Sequence, residues 1–160
     1  MTGVPALLAG AALLAAVLTV LRVRRRYLMV TVLGESMVPA YRPGERVLVR
    51  RTPAGSLRAG QVVVLRGHGA PGEPSTRRPS GEPGDEGLGR RWIIKRIAAA
   101  PGDPVPRATV PALRAVPGTR VPAGRLVVLG DNPERSHDSR QSGYFTADRV
   151  FGVVQRKIGS

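Results

Sequence analysis

Few side chains in this 160-residue chain could act as nucleophile, base or metal ligand, and their types narrow the chemistry quickly. There is no cysteine, which removes thiolate metal sites, cysteine nucleophiles and disulfides. The remaining nucleophiles are hydroxyls, and a serine needs a base to take its proton. Histidine, the usual base, occurs only at His68 and His137. His68 falls in a polar tract with the composition of a disordered segment, a poor place for geometry held to about 0.5 Å. His137, Asp138 and Ser139 are consecutive, and successive side chains of an extended segment point to opposite faces, so they cannot form a triad by themselves. Two histidines and scattered carboxylates show no ligand spacing, so neither a metal nor another cofactor is expected.

Lysine is the base that remains, because arginine stays protonated. Lys157 lies near the C-terminus, whereas Lys95 sits inside "RRWIIKRIAAA". If that run is a strand, Ile93, Lys95 and Ile97 share one face and Trp92, Ile94 and Arg96 the other. Apolar neighbours on both sides would desolvate the ammonium and lower its pKa toward the range of a general base. A strand lysine can also snorkel to water, and the run alone leaves both readings open. Among the hydroxyls, Ser36 stands out in "GESMVP": Gly34 permits close approach of backbone to a ligand, and Pro39 fixes the exit from the turn. Backbone N–H groups of such a turn could form an oxyanion hole, although Gly, Ser and Pro are also ordinary turn residues.

These groups need elements to hold them. Val4 to Leu21 is apolar and uncharged for roughly 18 residues, about 27 Å as a helix, and is read as a single membrane span. "MTG" supplies no basic n-region and "RVRRR" follows in place of a cleavage site, so a retained anchor over residues 1–26 is expected rather than a cleaved leader. From Tyr27 onward come short Val, Ile and Leu runs between turn residues: "LMVTVLG", "ERVLVRR", "GQVVVLRG", "RWIIKRIAA", "GRLVVLGD" and "RVFGVVQRK". Their succession predicts a mainly β, antiparallel domain over 27–160. Arg42-Pro43-Gly44-Glu45 and Ala100-Pro101-Gly102-Asp103 read as tight turns. Residues 67–91 have almost no apolar content and are expected to be a disordered insertion, whereas the Pro-rich stretch 101–122 carries Val and Leu and is expected to be partly ordered.

A net charge of +14 and a pI near 11.7 would attract phosphate, in nucleic acid or at an anionic membrane surface. With only 4% aromatic residues, stacking platforms are scarce, and no nucleic-acid partner is expected. The flank formed by Arg22, Arg24, Arg25 and Arg26 is placed at anionic lipid headgroups instead.

Three ordered segments behind the apolar stretch resemble the bacterial type I signal peptidases, membrane-anchored serine proteases with a Ser/Lys dyad. "GESMVPAYRPGERVLV" looks like the nucleophile box, "IIKRIAAAPGD" the base box and "GDNPERSHDSRQSGYF" the C-terminal box. The resemblance runs from about Met29 to Val154, leaving out the insertion, and implies a signal-peptidase-like β-rich catalytic domain behind one transmembrane helix. It implies Ser36 as nucleophile, Lys95 as general base and Ser136 as the hydroxyl that orients the lysine amine. Asp138 and Arg140 match a supporting ion pair, and Asp131 would pair with Arg96. Gly34 stands where some members carry an oxyanion-binding serine, so any contribution from that position must come from backbone N–H.

The implied activity is removal of N-terminal signal peptides from exported precursors, after small residues, through an acyl-enzyme. The family's catalytic domain lies outside the cytoplasm, whereas the four arginines after the span favour keeping that end inside. Long domains translocate despite flanking charge, so the outer face of the cell membrane is the expected location. Two alternatives stay open: a cytoplasm-facing maturation protease for one dedicated precursor, and a non-catalytic basic module held at the membrane.

Overall fold

The computed structural model describes residues 13–20, 22, 24, 26–66 and 92–159. Seven antiparallel strands form one sheet: β1 (Tyr27–Thr31), β2 (Arg46–Arg51), β3 (Val62–Arg66), β4 (Trp92–Ala99), β5 (Arg125–Leu129), β6 (Phe145–Thr146) and β7 (Val150–Lys157), in the order β1-β2-β7-β3-β4-β5-β6. Five of the strands fall within apolar runs, and β1 begins at Tyr27, one residue before its run. The two-residue β6 carries no run of its own and exists because Arg125 and Leu126 pair with Thr146 and Phe145.

Both predicted tight turns form. Glu45 N–H donates to the Arg42 carbonyl and Asp103 N–H to that of Ala100, with Gly44 and Gly102 at φ +89° and +88°. Proline second and a positive-φ glycine third are the signature of a type II turn. Other residues rarely adopt that φ, which accounts for the two Pro-Gly pairs.

The strands bury their apolar side chains in distinct clusters, and β4 contributes to all three. Ile93 and Ile97 pack with Leu57, Val63, Leu65, Leu126 and Val128, while Trp92 and Ile94 pack with Val30, Val32, Met37, Val47 and Val49. This is the alternation expected of a strand covered on both faces. The Pro-rich stretch is ordered by its own apolar residues: Val105, Val110, Leu113 and Val121 are buried in a third cluster with Ala99 and Val127. Full burial of Val110 and Leu113 stabilises by about 1.5–3 kcal/mol each, which offsets much of the cost of ordering the loop.

Residues 13–20 are helical and expose Leu13, Leu14, Val17, Leu18 and Val20. Among the described residues no helix is long and apolar enough to cross a membrane. Residues 4–12 and 21 of the expected span lie outside the described residues, as do Arg25, His68 and the expected insertion at 67–91.

Candidate active site

The "GESMVP" segment follows β1 and is pinned by its neighbours. Met37 is 1% exposed among Val30, Val32 and Val47, and its carbonyl accepts from Tyr41 N–H, so the turn is nailed to the core one residue past Ser36. Ser36 itself is half-buried, and its carbonyl accepts the Asn132 N–H at 3.0 Å. That bond joins the turn to the loop after β5.

Lys95, on β4, lines the same cleft as Ser36. It is 4% exposed, and its Nζ donates to Ser136 Oγ at 2.9 Å. Ser136 in turn donates to Asp138 Oδ2 at 2.6 Å. Asp138 is fully buried, and its carboxylate also accepts the N–H of Gly130 (2.8 Å), the N–H of Arg140 (3.0 Å) and the Arg140 guanidinium (2.9 Å). Asp138 caps the single helical turn Ser139–Ser142, with Gln141 returning its side-chain oxygen to the Asp138 N–H in a capping box. Ser139 Oγ accepts the β5 N–H of Val128, which ties that turn to the sheet. The whole "SHDSR" segment is thus held by its own polar groups, with Ser136 aimed at Lys95.

Burial is the main cause that lowers the Lys95 pKa below its ordinary value. The Asp138 charge opposes the shift and the Arg140 charge adds to it, so the ion pair under Ser136 partly cancels itself. On the opposite side of β4, Arg96 forms a two-pronged pair with Asp131, Nε to Oδ1 at 2.9 Å and Nη2 to Oδ2 at 2.6 Å. This pair raises the arginine pKa and clamps β4 to the loop after β5.

Gly130 is the residue that the sequence reading quoted but gave no role. A Cβ there would lie 2.6 Å from the Ser36 carbonyl oxygen and from Ser136 Cβ, and would collide with Ser136 Oγ. Its bare Cα is therefore the contact through which the Ser36 turn and the Ser136 loop approach each other. Asn132 and Met37 likewise carry no chemical signal in the sequence; the only signal for Gly130 and Asn132 is their place in "GDN". At Gly34, by contrast, a Cβ would meet nothing within 4 Å. His137 turns outward, with Nε2 2.8 Å from Ser142 Oγ, and does not join Asp138 and Ser139.

Ser36 and Lys95 line one open cavity of about 1270 Å³ with Gly34, Met37 and Ile94. Its two long walls are strand edges. Among the described residues β1 pairs with β2 alone, and Trp92 to Lys95 pair with β3 but not with β5, which joins β4 only from Arg96. Free edges on both sides of a cleft can hold an extended peptide by main-chain hydrogen bonds.

The sequence matches the family described as "Signal peptidase, peptidase S26" over residues 6–111 and 107–158. The chain belongs to the signal peptidase S26 family. Its relatives include "Signal peptidase IB" of Staphylococcus aureus (strain COL), 30% identical over 144 residues that cover 78% of this chain and 73% of the relative. "Signal peptidase I" of Bacillus caldolyticus is 29% identical over 135 residues, 76% of this chain and 73% of that protein. The expected enzyme class, a serine endopeptidase of signal peptidase type, agrees with this membership. The mainly β antiparallel architecture agrees with it as well.

Proposed function

We propose that this protein removes N-terminal signal peptides from exported precursors, with Ser36 as nucleophile and Lys95 as general base. The observation that carries the reading is the unbroken contact from Lys95 through Ser136 and Gly130 to the Ser36 backbone, which gathers three distant segments at one cleft. Ser136 has a single proton and commits it to Asp138, so its oxygen can only accept from Lys95. A neutral amine that donates one N–H there keeps its lone pair for another partner, which is what a base facing the Ser36 hydroxyl requires.

Lys95 takes the Ser36 proton as Oγ attacks the peptide carbonyl, and the oxyanion is stabilised by backbone N–H groups of the 34–36 turn. The ammonium then gives its proton to the departing amine, leaving an ester on Ser36. Water, deprotonated by Lys95, cleaves that ester and restores the serine. Substrates are precursors with small residues before the scissile bond.

Residues 1–26 serve as the membrane anchor, with the exposed Arg22, Arg24 and Arg26 at anionic headgroups. Residues 27–160 form the catalytic unit, and that unit faces outward. The apolar side chains exposed along 13–20 support the anchor. Purified Ser36→Ala and Lys95→Ala proteins should each lose cleavage of a precursor peptide. The wild-type rate should rise with pH along a limb that ends below the ordinary lysine range, because burial lowers the Lys95 pKa. Retained cleavage in either variant excludes the dyad. Digestion of the domain by external protease in intact cells tests the orientation.

A further inference from the structure

The cleft does not end at the dyad. Because the sheet is antiparallel, β1, β4 and β7 begin where β2 and β3 end, and this rim carries Arg51, Arg66, Trp92 and Phe151, all of which line the cavity. Trp92 meets Phe151 edge-on, with ring centroids 4.8 Å apart, and the Arg51 guanidinium carbon lies 4.7 Å from the Phe151 centroid. Arg66 pairs in register with Trp92. Among the described residues neither Arg51 nor Arg66 meets a carboxylate, whereas Arg96 and Arg140 are both paired. A guanidinium stacked on a ring keeps its N–H edge free, so the aromatic pair holds Arg51 while leaving it able to bind an anion.

Trp92 is three residues from Lys95 along β4, roughly 10 Å at strand rise. Trp92 lies on the face of β4 opposite Lys95, and the side chains of a peptide extended along that free edge alternate in the same way, so one of its third and fourth side chains from the scissile bond falls beside these cations. We propose that Arg51, stacked on Phe151, and Arg66, the register neighbour of Trp92, form a cationic subsite of the cleft that takes a carboxylate side chain of the peptide substrate. The inference rests on the peptidase reading and adds a preference to it. A peptide is favoured over a lipid headgroup as the anion because both arginines open into the cavity that holds Ser36 and Lys95.

Binding keeps the test independent of catalysis. Full-length Ser36→Ala protein in neutral detergent is titrated at low salt with labelled precursor peptides carrying Glu or Gln at the third and fourth positions on either side of the scissile bond. Glu at one of these positions should bind roughly two- to fivefold tighter than Gln. The preference should fade with added salt and vanish in Arg51→Gln/Arg66→Gln, with binding of the Gln peptide unchanged. Equal binding of Glu and Gln peptides overturns the proposal, as does a preference that survives the double substitution. So does a double variant that loses only its binding to phosphatidylglycerol vesicles, since the arginines would then face lipid. Failure of the peptidase reading shows elsewhere, as wild-type cleavage that persists after Ser36→Ala.

Discussion

Gly130→Ala puts the contact at the centre of the site to a direct test. The new methyl carbon would stand 2.6 Å from the Ser36 carbonyl oxygen and 2.6 Å from Ser136 Cβ, where carbon atoms settle at about 3.5–4.0 Å. One of the two segments must therefore retreat by about 1 Å. Retreat of Ser136 lengthens its 2.9 Å bond to Lys95, and retreat of the turn lengthens the 3.0 Å bond between Asn132 and Ser36. Either movement shifts Ser36 relative to Lys95, and in the proposed dyad a misplacement of about 1 Å costs on the order of 10²-fold in rate. Overpacking should cost about 1–3 kcal/mol of stability, a loss the fold can survive. The assay is kcat/KM on a precursor peptide alongside urea unfolding, with Gly55→Ala as the control because a Cβ there meets nothing within 4 Å. Expected is a loss of about 10²-fold in kcat/KM for Gly130→Ala and none for the control. A folded Gly130→Ala protein within threefold of wild type would refute the claim that Gly130 sets the spacing of Ser36 and Ser136.

Two further outcomes follow from the buried polar groups. Lys95 has a lower pKa folded than unfolded, so the unfolded chain holds its proton more tightly, and stability rises with pH from the folded pKa up to the ordinary lysine value. Lys95→Met removes that penalty. The variant should lack catalysis yet gain stability over wild type, most at pH values below the folded pKa and not at all above the ordinary lysine range. Parallel unfolding curves for the two proteins at pH 6 and pH 10 would refute this. Tyr144 carries a buried hydroxyl with no partner among the described residues, and an unsatisfied group of that kind costs about 1–3 kcal/mol. Tyr144→Phe should therefore raise the unfolding free energy in urea by about 1 kcal/mol, and a decrease would show that the hydroxyl is bonded.

The strands and turns were legible because their causes are local. Val, Ile and Leu runs bounded by turn residues produced six strands, and two Pro-Gly pairs produced turns, in the expected places. The two faces of β4 followed from period-two alternation alone. The Pro-rich stretch was harder to read, since its order depends on four apolar residues finding a cluster supplied by β4 and β5. Residue types also limited the chemistry: without cysteine, and with both histidines poorly placed, a hydroxyl served by a lysine was the remaining choice.

The sequence by itself determined the alphabet of the site and the class of fold, because residue chemistry and strand periodicity act over a few neighbouring positions. Tertiary structure alone decided which polar groups meet. Lys95 could have snorkelled to water, and it lies buried against Ser136 because β4 is covered on both faces and the capped turn at Asp138 turns Ser136 toward it. Gly130 looked like any glycine before an Asp-Asn pair. Its absent side chain matters only because Ser36, 94 positions earlier, and Ser136, six later, are packed against the same Cα. Contacts between residues that far apart in the chain are set by how the sheet closes, and no local pattern records them.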